Sequence, residues 1–335
     1  MNRHCERCTL PENHPMAHLD VEGICRPCRQ HERWNHTAER KAEAAAEMDV
    51  VLRTTRGKGD IDAVIAVSGG KDSCWTLYQL GRHTSLRLLA ITVDNGYLSK
   101  FALTNAGRVA DLAGARHEVF TPSKSDMQQL FRTAAVEDLY PETKQGRASG
   151  ICNACISVIK LHCLHAAQRK QAPLLVWGWS PGQAQISSAL YQPSAKMTQV
   201  FVERQFDPLH QVFPENPEWI AHPHFDETDT LPRFVHPLAV WPYDEDSIVA
   251  ELVALGWTKP DDVDSTSTNC RLNALGVAIH QRRYGYHPYA SELSGLVRSR
   301  HMSAEESMRR QQALPLSTDV VNIALELGLG TKIFS

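Results

Sequence analysis

The chain has 335 residues, 42% of them hydrophobic and 22% charged, which is the composition of an ordinary globular protein with room for about two domains. The formal net charge of -3 argues against a general attraction to nucleic acid or to an anionic membrane. The N-terminus has no apolar signal region and no segment reaches roughly 18 apolar residues, so we expect a cytoplasmic protein without membrane contact.

Residues 1–35 hold four of the nine cysteines, in two Cys-x-x-Cys pairs, "CERC" and "CRPC", that are separated by 16 residues. In a reducing cytosol such pairs favour metal binding over disulfides. This spacing can put four thiolates at the corners of a tetrahedron, which is the geometry of structural Zn²⁺. The segment therefore predicts a zinc-binding domain, and two disulfides are the alternative. The predicted ligands are Cys5, Cys8, Cys25 and Cys28.

An Ala- and Glu-rich segment predicts a connecting helix within 36–58, and strand and helix patterns then alternate across 59–250. Near-continuous apolar strands between amphipathic helices indicate an α/β fold, with a doubly wound parallel sheet covered on both faces. Right-handed crossovers bring the carboxyl ends of such strands to one edge, where ligands usually bind. A Pro- and His-rich insertion over 190–235 is expected to be irregular, and the region 251–335 to be helical.

The first predicted strand ends abruptly in "VIAVSGGKDSCW", and a helix follows. Two glycines permit backbone angles that turn successive N–H groups toward a phosphate, and a helix N-terminus adds further N–H groups. Lys71 supplies a cation, and Asp72 is a candidate ligand of Mg²⁺. The alternative is a tight turn capped by serine, but a cap needs neither the lysine nor the aspartate. The predicted phosphate-binding loop comprises Ser68, Gly69, Gly70, Lys71, Asp72 and Ser73.

A second set of cysteines comprises Cys152 and Cys155 in "ICNACISV" and the distant Cys270. Three thiolates are too few for a closed zinc site, but they suit a [4Fe–4S] cluster with one iron open to an external ligand. Other interpretations stay open: a redox or persulfide-carrying pair, a second zinc site with His162 or His165, or a lone Cys270 in the core. Two further cysteines are expected in the hydrophobic core, Cys74 and Cys163.

The "SGGKDS" loop resembles the S-G-G-x-D-S signature of the PP-loop ATP pyrophosphatase family, where it also follows the first strand. The resemblance implies an enzyme that cleaves ATP between its α and β phosphates and adenylates a carbonyl-type oxygen, from which a nucleophile then displaces AMP. It further implies that the loop holds the pyrophosphate, with Lys71 and Asp72 as catalytic residues. The segment "TVDNGY" looks like the family's adenosine-contacting edge, with Asp94 as the contacting side chain.

The order of loop, Cys-x-x-Cys and later lone cysteine resembles the sulfur-inserting tRNA thiolases, in which three cysteines hold a [4Fe–4S] cluster beside the ATP site. The resemblance implies that Cys152, Cys155 and Cys270 hold such a cluster, with Cys270 among the catalytic residues. One stretch departs from the pattern. Those thiolases usually have a G-H-x-x-D-D-like stretch after the fourth strand, whereas "GWSPGQAQ" here has neither acid. A small-molecule acceptor is therefore favoured over tRNA.

A second resemblance covers more of the chain. The N-terminal cysteine segment, "VSGGKDS", "LLAITVDNGY" and the C-terminal "YASELSGLVRSRHMSAEESM" are similar to the N-acetyl sugar amidotransferase family. Those enzymes adenylate a sugar N-acetyl oxygen and accept ammonia from a glutaminase subunit. In this interpretation the second cysteine set is structural.

The sequence as a whole predicts a cytoplasmic ATP-dependent sulfurtransferase that uses Mg²⁺, structural Zn²⁺ and a [4Fe–4S] cluster. Its acceptor is expected to be a small molecule, with a nucleobase as one candidate, and its sulfur to come from a separate donor. Ammonia-dependent amidation of an N-acetyl sugar is the first alternative, and thiolation of tRNA is the second. A zinc-knuckle adaptor that uses the nucleotide as a switch is the non-enzyme alternative. The sequence is also compatible with a homodimer.

Overall fold

The computed structural model of the protein describes residues 3–33, 38–226, 231–264, 266–313 and 318–330. Within these residues six β-strands form a single sheet. In chain order the strands are β1 (Ala63–Ala66), β2 (Leu88–Val93), β3 (Arg116–Phe120), β4 (Leu174–Trp177), β5 (Leu190–Tyr191) and β6 (Arg233–Val235).

The strands lie in the order β3-β2-β1-β4-β6-β5, and every neighbouring pair is parallel except β5 with β6. The predicted parallel α/β sheet is therefore confirmed, with one antiparallel edge strand added. The direction of strand succession reverses at β1, because β2 lies on one side of it and β4 on the other. In open α/β sheets ligands bind outside the carboxyl ends of the strands at such a switch point. The fold thus places the loop that follows β1 at the expected ligand position.

Helices cover both faces of the sheet. In the described chain they are α1 (Arg26–Arg33), α2 (Ala38–Thr54), α3 (Lys71–His83), α4 (Ala102–Leu112), α5 (Lys124–Val136), α6 (Glu142–Gln145), α7 (Gly150–Arg169), α8 (Ala195–Val212), α9 (Glu245–Ala254), α10 (Leu272–Tyr284), α11 (Ala290–Arg298), α12 (Ala304–Gln312) and α13 (Thr318–Glu326).

Two hydrophobic cores sandwich the sheet. Since successive side chains of a strand point to opposite faces, Val64 joins one core while Ala63 and Ile65 join the other. The first core packs α5, α7, α8, α10 and α13 against the sheet. The second packs α2, α3, α4 and α9 against the opposite face. Burial on both faces explains why β2 reads as a continuous apolar run, with all six of its residues buried.

Helix α7 is the one described helix that is long and apolar enough to cross a membrane by length and composition. The sequence-based expectation that no segment meets this description is therefore wrong. More than half of its apolar window is buried inside the protein, and it contacts β1, β2 and β4 as well as α5 and α8. Its apolar character is accounted for by its central place in the first core.

The expectation of an irregular insertion over 190–235 is wrong for Ala195–Val212, which form the 18-residue helix α8. This helix begins after Ser194, whose side chain accepts a hydrogen bond from a backbone N–H of the first turn. Val202 and Leu209 face the first core, where α8 packs against α7. Tertiary packing therefore stabilises a helix that contains Pro208, a residue that predicts a helix break.

The region predicted to be helical, 251–335, contains α10, α11, α12 and α13, so this prediction is confirmed for its described part. The cysteine-rich N-terminal segment forms a small hydrophobic cluster of its own, which also includes Ala290 of α11. Thr9 binds the hydroxyl of Ser307 in α12, with 2.7 Å between the oxygens. The N-terminal segment thus packs on the C-terminal helices. The predicted domain boundaries stay predictions, and residues 34–37, 227–230, 314–317 and 331–335 lie outside the described residues.

Candidate active site

A cavity of about 340 Å³ opens at the switch point of the sheet. Its volume is in the range of small-molecule sites in enzymes. The phosphate-binding loop, the carboxyl ends of β1, β2 and β4, the first half of α7 and part of α11 line it. The cavity therefore brings the loop and the second cysteine set into one site. The predicted site residues that line it are Ser68, Gly70, Lys71, Asp72, Ser73, Cys152, Cys155 and Cys270.

The two loop glycines are needed for the fold of the turn. Gly69 has a φ of +78°, and a Cβ atom there would lie 2.1 Å from the carbonyl oxygen of Ala102. A Cβ atom on Gly70 would lie 2.9 Å from the hydroxyl oxygen of Thr268. The chain can therefore make this turn only with glycine at position 69, and glycine at position 70 leaves room for the segment before Cys270.

Hydroxyl groups hold the backbone of the loop. The Ser73 Oγ accepts the N–H of Ser68 at 3.1 Å and donates to the carbonyl of Gly70 at 3.1 Å. The N–H of Lys71 donates to Thr268 Oγ1 at 3.2 Å. The Ser68 Oγ accepts the N–H of Gly70 at 3.3 Å, so both serine side chains of the motif hold the turn. Contact of the loop with pyrophosphate stays a prediction.

Lys71 is a cation of the cavity, which Arg310 also lines. Its Nζ lies 2.8 Å from Asp72, 3.3 Å from the hydroxyl of Tyr243 and 3.6 Å from Glu245. Burial alone would lower the pKa of Lys71, but the charge of Asp72, the hydroxyl of Tyr243 and the charge of Glu245 raise it above its usual value. The ammonium is thus charged at neutral pH. Sequence reasoning missed Tyr243 and Glu245 because they lie far along the chain, at the start of α9.

The three cavity cysteines come from two separate elements. Cys152 and Cys155 lie in the first turns of α7, where the Ser149 side chain accepts the N–H of Cys152. Cys270 lies in a segment that pairs with the chain after β2. In this pairing the N–H of Ser99 donates to the carbonyl of Asn269 at 2.8 Å. The end of the "TVDNGY" segment and the two residues after it therefore position Cys270, since the N–H of Arg271 also donates to the carbonyl of Tyr97 at 3.0 Å.

A side-chain amide and a phenol contact the sulfurs of the cavity cysteines. The Asn95 Nδ2 lies 3.3 Å from the sulfur of Cys155 and 3.9 Å from that of Cys270. The hydroxyl of Tyr289, from the turn before α11, lies 3.5 Å from the sulfur of Cys152. Asn95 and Tyr289 were both missed by sequence reasoning.

The predicted adenosine contact, Asp94, lies at the end of β2 as expected. Its carboxylate accepts the N–H of Gly96 at 3.0 Å, and it is not among the residues that line the cavity. Contact with adenosine stays a prediction. The neighbouring Asn95 is the side chain that faces the cavity.

The environment of the cavity thiols does not favour the redox interpretation. Burial raises the pKa of Cys155 to about 12, and burial with the neighbouring Cys155 and Cys152 raises that of Cys270 to about 12. A reactive redox thiol needs a lowered pKa instead.

The remaining alternatives for the cysteines find no support. Cys270 is only partly buried and lines the cavity, so it is not a core residue. His162 stacks on Phe120 with 4.0 Å between ring centroids, and no zinc-like group in the described residues includes it or His165. The predictions that Cys74 and Cys163 are core residues are confirmed, since both are fully buried.

The four N-terminal cysteines converge as predicted. Their sulfurs lie within 4.8 Å of one another and are buried, with Cys8 to Cys25 at 3.5 Å and Cys5 to Cys28 at 3.8 Å. Tetrahedral Zn–S bonds of about 2.3 Å would place the sulfurs about 3.8 Å apart. All four are free thiols, which excludes the disulfide alternative in this structure. The residues present therefore fit a zinc ion.

A carboxyl group that no motif predicted also lines the cavity. Glu292 of α11 accepts a hydrogen bond from the hydroxyl of Ser180 at 2.7 Å. Ser180 belongs to "GWSPGQAQ", the stretch that lacks the acids expected after the fourth strand. Burial, and then the charge of Asp72, raise the pKa of Glu292 to about 7 against the opposing bond from Ser180. The fold thus brings an acid to that stretch from another helix.

No family model and no curated protein matches the chain. Similar solved structures include the U34-tRNA thiolase NcsA from Methanococcus maripaludis with its [4Fe-4S] cluster, at 16% identity and a TM-score of 0.39, covering 92% of this chain and 86% of that one. The NMN synthetase from Francisella tularensis is 13% identical, with a TM-score of 0.38 and coverage of 82% and 96%. The NH3-dependent NAD synthetase from Campylobacter jejuni is 12% identical, with a TM-score of 0.32 and coverage of 43% and 57%.

The "SGGKDS" loop of this chain resembles the signature of the PP-loop ATP pyrophosphatase family. The resemblance of this chain extends to its fold, since the loop follows β1 at the switch point of a parallel sheet.

Proposed function

We propose that the protein is an ATP-dependent enzyme of the PP-loop type that adenylates a carbonyl oxygen of a small-molecule acceptor and replaces that oxygen with sulfur. The observation that carries this proposal is the shared cavity, which is lined by the loop and by Cys152, Cys155 and Cys270. A nucleotide-activating loop next to three thiols of one cavity is the arrangement that such a two-stage reaction requires.

The nucleotide half of the site supports adenylation with loss of pyrophosphate. The charged Lys71 lies in the cavity beside the loop, where a preorganised cation would stabilise the negative charge that develops on the leaving group. Asp72 and Glu245 supply carboxylates close to it, and carboxylates are the protein ligands that Mg²⁺ prefers. These residues would hold ATP with its magnesium ion.

The donor set fits a [4Fe–4S] cluster. Among the described residues only the four N-terminal sulfurs form a group within 4.8 Å, so the cavity thiols are farther apart than the ligands of a single ion. A cluster binds each thiolate through a different iron, which suits the wider spacing. When bound, it would supply an iron with an open position for an external sulfur species. The Asn95 amide would donate a hydrogen bond to the ligating sulfur of Cys155, whereas the Tyr289 hydroxyl beside Cys152 donates to the side-chain oxygen of Asn273.

Glu292 would act as a proton acceptor in the second stage of the reaction. It lines the cavity together with Lys71, and the turn before its helix contributes the Tyr289 that contacts Cys152. A carboxyl group that changes protonation near neutral pH can accept a proton from the attacking nucleophile. The displaced AMP carries away the acceptor's former carbonyl oxygen, so the C=O bond becomes C=S.

Ammonia-dependent amidation is the second candidate. A specific observation favours it: the C-terminal stretch that resembles the sugar amidotransferases, "YASELSGLVRSR", contributes Tyr289 and Glu292 to the cavity. The same adenylation would then be followed by attack of ammonia from a glutaminase partner. Thiolation of tRNA stays a further alternative, and cytoplasmic location and a homodimer stay predictions.

Metal analysis of anaerobically purified protein separates the candidates. We expect roughly four irons and four acid-labile sulfides per chain besides zinc, and we expect Cys270→Ala to lose most of the iron while keeping the zinc. Cys163→Ala, a buried cysteine outside the cavity, is the matched control and should keep both metals. Wild-type protein that holds zinc alone would contradict the sulfurtransferase and favour amidation.

A further inference from the structure

A second cation of the cavity, Arg310, comes from α12 in the C-terminal region. Only 25% of its side-chain surface is exposed. The carboxylate of Glu245 joins it to Lys71: one carboxylate oxygen lies 3.6 Å from the Lys71 Nζ, and the other lies 3.1 Å from the Arg310 Nη1. The two cations are therefore one carboxylate apart, in the part of the cavity that holds the loop.

Two carboxylates fix the guanidinium of Arg310 but use only part of its hydrogen-bonding capacity. Its Nε donates to Glu306 at 2.6 Å, and its Nη1 donates to Glu245 at 3.1 Å. A guanidinium has five N–H donors in a planar fork that matches the oxygens of a phosphate. Among the residues that the structure describes, none accepts a hydrogen bond from the Nη2 of Arg310. This nitrogen therefore has two donors available for a ligand in the cavity.

The N-terminal cysteine segment anchors the helix that carries Arg310. The hydroxyl oxygens of Ser307 and Thr9 lie 2.7 Å apart, and the Gln311 side chain donates to the same Thr9 oxygen at 3.1 Å. Ser307 and Gln311 are both buried and lie one turn apart on α12. One face of α12 thus packs on the cysteine segment while Arg310 reaches the cavity from an adjacent face. The position of the guanidinium is set before a ligand binds, which lowers the cost of binding.

The charges around Arg310 favour a polyphosphate with its metal ion. Two cations one carboxylate apart suit two adjacent phosphate groups, whereas a ligand with a single carboxylate would need only one of them. Asp72 and Glu245 lie between and beside these cations, and carboxylates are the protein ligands that Mg²⁺ prefers. Alternating cations and acids are what the β and γ phosphates of a magnesium-bound nucleoside triphosphate require.

We propose that Arg310, through its Nη2, binds the β and γ phosphates of ATP together with Lys71 and stabilises the pyrophosphate as it leaves. In this step the carbonyl oxygen of the acceptor bonds to the α-phosphorus. The bond from that phosphorus to the bridging oxygen breaks, and its electron pair leaves with the pyrophosphate, where a fixed cation lowers the barrier. This role rests on the proposed function, since it assumes cleavage of ATP between its α and β phosphates.

Calorimetric titration of the full-length protein with Mg²⁺ tests this role. The probes are AMP and an ATP analogue with a methylene group between its α and β phosphates. We expect Arg310→Gln to weaken binding of the analogue about ten-fold, the usual effect of removing a charged hydrogen-bond partner, and to leave AMP binding unchanged because AMP lacks both phosphates. Arg309→Gln is the matched control. Arg309 also pairs with Glu306, but it is 70% exposed and does not line the cavity, so this variant should bind both probes as wild type does.

Each outcome decides the proposal. Equal affinity of wild type and Arg310→Gln for the analogue overturns it, and so does an equal loss for AMP and the analogue. If Arg310→Gln does not fold, Arg310→Lys replaces it: this variant retains the charge but lacks the fork, and it should weaken binding of the analogue alone. Wild-type protein that binds neither probe contradicts both this role and the proposed function. A protein that shows the expected pattern but contains no iron retains the role of Arg310 and refutes the sulfurtransferase.

Discussion

Glu292 lies next to the stretch after β4 that carries no acid of its own. Its carboxyl group accepts the hydroxyl of Ser180 and lines the cavity with Lys71 and Asp72. Because burial removes the carboxylate from water, the protonated form is favoured up to a pKa of about 7. A single residue on a distant helix can thus provide a proton-exchanging group that no local motif contains.

Replacement of Glu292 should change the dependence of stability on pH. The pKa of Glu292 in the folded state, about 7, lies above the ordinary value for glutamate, so the folded protein binds a proton that the unfolded chain releases as pH rises. The stabilisation that this proton gives the folded state is fully present below about pH 4 and is lost as the pH rises toward 7. We therefore expect the Tm of Glu292→Gln relative to wild type to be higher at pH 8 than at pH 5.

Thermal denaturation at pH 5 and pH 8 checks this expectation. Glu305→Gln, an exposed position in the first turn of α12, is the control and should keep nearly the same difference from wild type at both values. A Tm difference for Glu292→Gln that does not change with pH would contradict the raised pKa. In the proposed reaction, the rate of the second stage in wild-type protein should rise as the pH passes about 7. This rise should be absent in Glu292→Gln.

Asn95 and Asp94 illustrate the limit of motif-based assignment at a single residue. The motif drew attention to the acid, but in the structure Asp94 binds the turn that follows it and Asn95 contacts two cysteine sulfurs. Adjacent side chains at the end of a strand point in different directions, and sequence similarity alone does not tell which one faces a cavity.

At the scale of elements, the turn between β1 and α3 explains why a short motif was so informative. Gly69 must adopt a positive φ, and Gly70 begins α3 in an extended conformation. These requirements are local, so the residues that satisfy them are visible in the sequence. The hydroxyls of Ser68, Ser73 and Thr268 then complete the hydrogen bonds of the turn.

Gly69→Ala should destabilise the protein far more than another glycine-to-alanine change at positive φ. Both Gly69 and Gly114 have a positive φ, so alanine at either position costs about 1 kcal/mol or more in backbone strain. Only at position 69 does the new Cβ also meet a backbone oxygen, that of Ala102, whereas nothing lies within 4 Å at position 114. Urea denaturation should therefore show a loss of several kcal/mol for Gly69→Ala and about 1 kcal/mol for Gly114→Ala. Equal losses would show that the contact with Ala102 does not matter.

Helix α8 shows where reasoning by element fails. Its segment contains proline and many polar residues, so its own sequence does not strongly favour a helix. Packing of Val202 and Leu209 against the first core stabilises it instead. Such tertiary stabilisation is not visible in the local pattern, and for this reason the segment was expected to be irregular.

At the scale of the whole molecule, the N-terminal cysteine segment and the active-site cavity are joined through α11. Arg298 at the end of this helix donates to the sulfur of Cys8 at 3.2 Å, and Ala290 at its start packs among the four cysteines. The same helix carries Glu292 into the cavity. A change at the predicted zinc site should therefore be transmitted to the cavity.

Loss of metal from the N-terminal cysteines should loosen α11. Metal binding contributes directly to the folding of a small cysteine-rich segment, so Cys25→Ser or treatment with a chelator removes the packing that supports this helix. We expect faster amide hydrogen exchange over residues 290–298 and unchanged exchange in α5, which packs in the first core, apart from α11, and is the internal control. Unchanged exchange in α11 after verified metal removal would contradict the coupling.

The sequence alone was sufficient for the features whose causes are local. Near-continuous apolar strands between amphipathic helices predicted the parallel α/β sheet, glycines at a strand end predicted the loop, and paired cysteines predicted the N-terminal cluster. Each of these patterns is short, and the two cysteine pairs are separated by only 16 residues. The zinc ion, the iron–sulfur cluster and the acceptor are still predictions, because they depend on partners that bind to these residues.

Only the tertiary structure decided which distant residues share a site. Lys71, Cys152, Cys270 and Glu292 are each separated by many residues in the chain, yet crossovers at one switch point and the docking of α11 bring them around one cavity. Local propensity determines the elements, whereas burial of their apolar faces in two cores determines which polar side chains meet, and no local pattern encodes that meeting.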